Sequence, residues 1–363
     1  MRIQALDIFR GLCIFYMTFG HLVNWWIIKA DYGLYEIIWN FGAFVGGGGF
    51  LLVSGMSAAL SYKIRKEKSQ TFQNSNEKMI RNEYILRALV IFMISAIWNL
   101  VGTMYSNIPG VWTWFVLQTI SVSLLLAWPF LKTSKQFRLY VCFAIWISNE
   151  FLIIWLTPFR GEANFLGYLY YFLYNVPEQN VILGYFPFLL AGTVIGEIFY
   201  DSSLKEGTEE QRDYLRKKLI RPSTIGGILL VIFGFIFEFP NFRYKETFSS
   251  HMFNFGLELL LISFLVIIKD FGKLKFKKNY SVIKYYSYYS FTIFFAHQLL
   301  YFIFPPQFNA LEIWIYIVPT MIIVTLLFRY IYIKAGKYAS LKFFISKFAT
   351  FLAGKIKLRQ NDD

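Results

Sequence analysis

Charge is scarce in this chain of 363 residues: 16% are Asp, Glu, Lys or Arg, below the roughly 25% usual in soluble domains. With 56% hydrophobic and 21% aromatic residues, a soluble protein of this length could not cover its apolar surface. Cysteine is nearly absent. Cys13 and Cys142 each fall inside a long apolar run, where they fit small packing residues better than a disulfide or a metal pair. No CxxC, HExxH or P-loop pattern occurs, so no metal site and no nucleoside triphosphate chemistry is expected. Long polar stretches are missing too. The connections near 63–84, 157–179 and 201–222 are too short for a separate folded domain.

What remains is a series of apolar blocks of about 20 residues, the length that crosses roughly 30 Å of hydrocarbon. They predict about ten spans, at 7–28, 37–62, 85–104, 111–130, 139–156, 180–200, 223–240, 251–268, 285–304 and 311–333. The fold class is therefore all-α and polytopic, with a membrane domain over 1–334 and a basic tail over 335–363. The first block holds Asp7 and Arg10 and no small-residue cleavage site follows it, so it reads as a retained helix.

The positive charges set the orientation. In the odd-numbered connections only Lys29, Arg160, Arg243 and Lys245 occur, whereas Lys63, Arg65, Lys66, Lys68, Arg216, Lys217, Lys218, Lys273, Lys275, Lys277 and Lys278 fall in the even-numbered ones. Short basic loops stay inside, so both termini are expected in the cytoplasm, in a plasma-membrane protein. The net charge of +14 then reflects topology and lipid headgroups, with no nucleic acid partner. After the last span, Leu341, Phe344, Ile345, Phe348, Phe351 and Leu352 recur at helical spacing among Lys342, Lys347, Lys355 and Lys357. Such a segment lies flat on the inner leaflet.

Polar groups within spans are costly and usually face a cavity or pathway. His21, Asn99, Gln118, Asn149, Glu150, Glu258 and His297 fall at similar depths, which predicts a shared polar cavity. His21 and His297 are the candidates for chemistry, although a buried histidine can also simply bond a neighbouring carbonyl. Glu150 and Glu258 fit a structural role better than a catalytic one. His251 lies at the outer membrane edge, where a polar group costs little. Arg10 stands 11 residues before His21, roughly 16 Å below it and near the same helix face. It serves as a topology anchor paired with Asp7, or as a phosphate contact at the inner mouth of the cavity. The run Gly46 to Gly49 bares backbone, for helix packing or for a thin ligand running past it.

These residues resemble a known superfamily. Leu6 to Gly11 with His21 is similar to the first helix of the transmembrane acyltransferases, which include the acyltransferase-3 family. The segment Gly49 to Ser61 resembles the second helix of the heparan-alpha-glucosaminide N-acetyltransferase group and its prokaryotic relatives. Weaker matches follow at Leu117-Gln118, at Tyr185 to Gly192 with Gly196, and at Tyr288 to His297. The resemblance implies acyl transfer, commonly of acetyl from cytoplasmic acetyl-coenzyme A to a sugar on or beyond the outer side. His21 matches the essential first-helix histidine, Arg10 the arginine paired with it, Arg87 a basic residue that helps seat the donor, and His297 a histidine near the end of the domain. Gly48 and Gly49 would border the donor arm. The long luminal segment of the animal lysosomal enzyme is missing, which favours a prokaryotic surface sugar, glycolipid or polyprenyl-linked glycan as acceptor.

The chemistry fits this expectation. Acyl transfer from a thioester needs a base near neutrality, a range in which histidine titrates, or a histidine that attacks first and carries the acyl group. Expected partners are membrane lipids and the glycan acceptor, and a homo-oligomer is compatible with the sequence. Two other classes stay open. A transporter or flippase would also gather polar groups at mid-depth, and a non-catalytic relative would keep the fold.

Overall fold

The computed structural model describes residues 3–72, 77–105, 112–175, 179–238, 247–270 and 281–361. The basic loop with Lys273, Lys275, Lys277 and Lys278, and the residues Arg243 and Lys245, lie outside the described residues. Among the described residues the structure is helix and short connections, with one isolated β-bridge between Ile27 and Phe308.

The first eight helices are α1 (Gln4–Trp26), α2 (Gly33–Gly42), α3 (Gly47–Phe72), α4 (Glu77–Tyr105), α5 (Val116–Phe130), α6 (Lys135–Leu156), α7 (Phe165–Tyr174) and α8 (Ile182–Ser203). Next, α9 (Thr208–Leu215) continues through a π-helical stretch, Arg216–Ile220, into α10 (Arg221–Glu238). The series closes with α11 (Phe248–Asp270), α12 (Ser281–Tyr288), α13 (Ser290–Ala296), α14 (Ile313–Lys334) and α15 (Leu341–Asn361).

Among the described residues seven helices are long and apolar enough to cross a membrane: α1, α4, α6, α8, the joined α9 and α10, α11 and α14. The chain is an integral membrane protein. The remaining expected spans differ in instructive ways. The block 37–62 is split: α2 ends at Gly42, a 3-10 turn covers Ala43–Val45, and α3 restarts at Gly47 within the glycine run, whose residues hold a helix weakly. The block 285–304 is split at Tyr289, whose φ of −97° and ψ of 20° leave the helical region. Tertiary anchors hold that break open, since Tyr289 donates to the Gly336 carbonyl at 2.7 Å and Thr292 to the Ala339 carbonyl at 3.1 Å. The block 111–130 forms only the shorter α5. Stretches expected as loops are partly helical as well, with α3 and α4 reaching into 63–84, α7 inside 157–179 and α9 inside 201–222.

The chain divides into two compact units, residues 1–50 with 257–344 and residues 51–256 with 345–363. In the first, α1 is the central element and packs on α2, α12, α13 and α14, burying Phe9, Ile14, Leu22 and Trp26. A Cβ on Gly11 would stand 2.3 Å from the Ile283 carbonyl oxygen, so the backbones of α1 and α12 meet as closely as only glycine allows. In the second unit α6 and α5 both pack on α8. There α3 and α8 meet backbone to backbone. Added Cβ atoms on Gly55, Gly192 and Gly196 would fall 1.9, 2.0 and 2.4 Å from the carbonyl oxygens of Leu189, Leu52 and Met56. Small residues are the means by which membrane helices approach, because lipid supplies no hydrophobic drive between them.

Candidate functional site

The site in the first unit is built where α1 ends. Helix α1 stops at Trp26, and its freed carbonyl is taken by the backbone N–H groups of Gln307 and Phe308, each at 3.0 Å. Ile28 N–H returns a bond to the Phe308 carbonyl at 3.0 Å, the Trp26 indole donates to the Leu300 carbonyl at 3.3 Å, and Asp31 accepts from Ala310 N–H at 2.8 Å. This clasp ties the segment 297–310 to the end of α1. It brings His297 onto His21, 276 residues away in sequence, with Nε2 of His297 at 3.1 Å from Nδ1 of His21.

The proton positions follow from one carbonyl. Nδ1 of His297 lies 3.1 Å from the Ile293 carbonyl oxygen, which can only accept, so that nitrogen carries the hydrogen. In a neutral imidazole Nε2 of His297 is then a lone pair, and Nδ1 of His21 must donate to it. Nε2 of His21 is thereby left as a lone pair with its tautomer fixed. His297 is 2% exposed, whereas His21 is partly buried. The Trp25 ring stacks on His297 at 5.7 Å and 14°, its edge faces His21 at 5.1 Å, and Tyr301 meets it at 85°. The Gln298 amide lies 3.4 Å from His297 Nε2. A base held by a second group that is itself anchored is the general arrangement of an activated nucleophile or proton acceptor.

Below the pair on α1, Arg10 is mostly buried and pairs with Asp7 at 3.5 Å. Cys13, one turn above Arg10, is fully buried, and an added Cβ on Gly49 would stand 3.0 Å from its sulfur. Gly48 is buried beside it in sequence. Glu258 on α11 is 0% exposed, and among the described residues neither carboxyl oxygen has a hydrogen-bond partner.

The other sequence candidates belong to the second unit and bond locally there. The Asn99 amide donates to Gln118 at 2.5 Å and to the Thr113 carbonyl at 3.0 Å. Asn149 accepts from Tyr174 at 3.1 Å, and Glu150 accepts from Phe248 N–H at 2.7 Å, capping the first turn of α11. Arg87 is half-buried on α4, one turn after Tyr84, whose hydroxyl donates to the Leu124 carbonyl at 2.9 Å. His251 stands in the first turn of α11. It is 2% exposed and enclosed by Trp146, Tyr185 and Phe188.

Sequence reasoning passed over a buried ion cluster in the second unit. Arg138 of α6 is 0% exposed, pairs with Glu197 of α8, and donates to Thr193 at 2.9 Å; Glu197 also takes Lys63 of α3 at 2.7 Å. Lys135 and Asp201 pair between the same two helices, α6 and α8. The pattern was visible as opposite charges near the ends of predicted spans. Among the described residues no group of three or more His, Cys, Asp or Glu is arranged to hold a metal ion.

No curated protein matches the chain. A family model described as heparan-alpha-glucosaminide N-acetyltransferase, catalytic, matches residues 2–227, a stretch that includes Arg10, His21, Arg87 and the glycine run. With α1 and the glycine-lined crossing of α3 and α8 inside the matched region, the chain belongs to the heparan-alpha-glucosaminide N-acetyltransferase catalytic family.

Proposed function

We propose that this protein is a plasma-membrane acyltransferase that moves an acetyl group from cytoplasmic acetyl-coenzyme A to a hydroxyl or amine of a sugar or glycolipid at the outer side. The observation that carries the reading is the histidine pair, in which the Ile293 carbonyl fixes both tautomers and leaves His21 Nε2 as an open lone pair. In this reading His21 Nε2 takes the acceptor's proton as its oxygen or nitrogen adds to the thioester carbonyl. The tetrahedral adduct then expels the thiolate, and the proton on His21 is returned to that sulfur. His297 holds His21 in the correct tautomer and stabilises the imidazolium through the bond at Nδ1. The donor's phosphates sit at the basic inner face near Arg10, in the positive-inside orientation, with the arm passing Gly48 and Gly49. Both termini and the amphipathic α15 lie on the cytoplasmic side.

The test is thiol release from acetyl-coenzyme A by purified protein supplied with glycolipid extract from the cells that make it. Release of free coenzyme A with acetate appearing on the extract is expected. An intact thioester, in protein that is folded by thermal melting, would contradict the reading.

A further inference from the structure

The exposed cations are balanced by acids in one part of the chain and not in another. Around α9, Lys205 pairs with Glu210, Arg212 with Glu209 and Lys217 with Asp213, so the chain supplies its own counter-charges there. The C-terminal end of α14 has none. From Ile313 to Asn361 the sequence contains no Asp or Glu, and among the described residues the exposed Arg329, Lys334 and Lys337 form no ion pair with a carboxylate.

The setting of these three cations within the first unit is ordered. Helix α14 has 22 residues, roughly 33 Å at 1.5 Å each, so its end reaches the headgroup layer when it crosses the hydrocarbon. Leu326, Tyr330 and Ile333 recur at spacings of four and three and are 54%, 60% and 66% exposed, forming one stripe on the helix. Arg329 and Lys334 flank that stripe, about 70° to either side. The chain then turns at Gly336, whose φ of 51° suits glycine, and the turn is fixed by the Tyr289 and Thr292 hydroxyls donating to the Gly336 and Ala339 carbonyls. Lys337 belongs to this turn and stands 5.3 Å from the ring centres of both Tyr338 and Phe343.

We infer that this end of α14 binds the phosphate headgroup of an anionic phospholipid through Arg329, Lys334 and Lys337, with an acyl chain lying along the exposed stripe. Charge complementarity selects an anion. The exposed apolar side chains that run from Ile322 through Leu326 to Ile333 select an anion that carries hydrocarbon. Exposed Tyr330 and Tyr338 stand at the same level, where an amphipathic ring has its apolar body in lipid and its hydroxyl in the wet headgroup layer.

The test is thermal melting of full-length protein in neutral detergent micelles, titrated with phosphatidylglycerol and separately with phosphatidylcholine of the same acyl chains. Phosphatidylglycerol should raise the melting temperature more than phosphatidylcholine does. Arg329→Gln, Lys334→Gln and Lys337→Gln together should move the phosphatidylglycerol response to about a hundredfold more lipid, the weight of three cations on an anionic headgroup, and leave melting in phosphatidylcholine as in wild type. A control that removes the same charge from paired positions, Lys205→Gln, Arg212→Gln and Lys217→Gln, should keep the response, as should the charge-keeping Lys334→Arg with Lys337→Arg. Equal responses to the two lipids, or equal losses in the two triple variants, would overturn the inference and leave only unspecific attraction. It would equally be overturned if coenzyme A or inorganic phosphate alone gave the response that the first triple variant loses, or if that variant dissolved a dimer seen by light scattering, which would assign the face to a free anion or to a second copy.

Discussion

The two units each bury a polar cluster within the membrane-spanning helices, and the clusters differ in how their bonding capacity is used. In the second unit the ion cluster is closed. Both oxygens of Glu197 are taken, by Lys63 and Arg138, and Arg138 also donates to Thr193, leaving only its Nε without a partner. In the first unit the histidine pair is anchored at one end by the Ile293 carbonyl and ends at the other in a lone pair on His21, which is only partly buried. A closed cluster holds helices together; an open one has capacity left for a reacting group.

Three substitutions sharpen that contrast. The largest stability effect is expected in the closed cluster, where Glu197→Ala strands Lys63 and buried Arg138 and should cost about 3 to 5 kcal/mol. Thermal melting in detergent checks it, and an unchanged melting temperature would show that the cluster is not structural. Next is Gly55→Ala, whose added Cβ would meet the Leu189 carbonyl oxygen at 1.9 Å and force α3 from α8, for a loss of about 1 to 3 kcal/mol by the same measurement. The smallest is His297→Phe, which removes one hydrogen bond from His21 and should lower kcat about fivefold, from about 1 kcal/mol, with the donor KM unchanged. A changed KM with constant kcat would instead place His297 in substrate binding.

Much of this architecture was legible in the sequence because the membrane imposes one simple rule, apolar runs of fixed length. The seven long apolar helices follow directly from it. The breaks at Ala43–Val45 and Tyr289 did not, since both sit inside continuous apolar runs and the second depends on bonds to Gly336 and Ala339, some 47 residues away. His21 and His297 were each legible as costly residues, but their contact depends on the clasp between Trp26 and Phe308, which no local pattern encodes. Asn99, Gln118, Asn149 and Glu150 share a depth in sequence, yet depth cannot say which polar group will find a neighbour. Arg138 was hidden because a charge near a span's end reads as a topology mark until Glu197 is seen beside it.

The most direct test of the open pair is acetyl-coenzyme A turnover by His21→Gln beside wild type and His21→Ala, with melting recorded on all three. Glutamine keeps a hydrogen bond and cannot take a proton at neutral pH. Both variants should melt near wild type and lose about 10² to 10⁴-fold in coenzyme A release, the usual weight of one general base. Retained turnover in His21→Gln, with alanine lowering activity and melting together, would contradict the account and make His21 a structural residue.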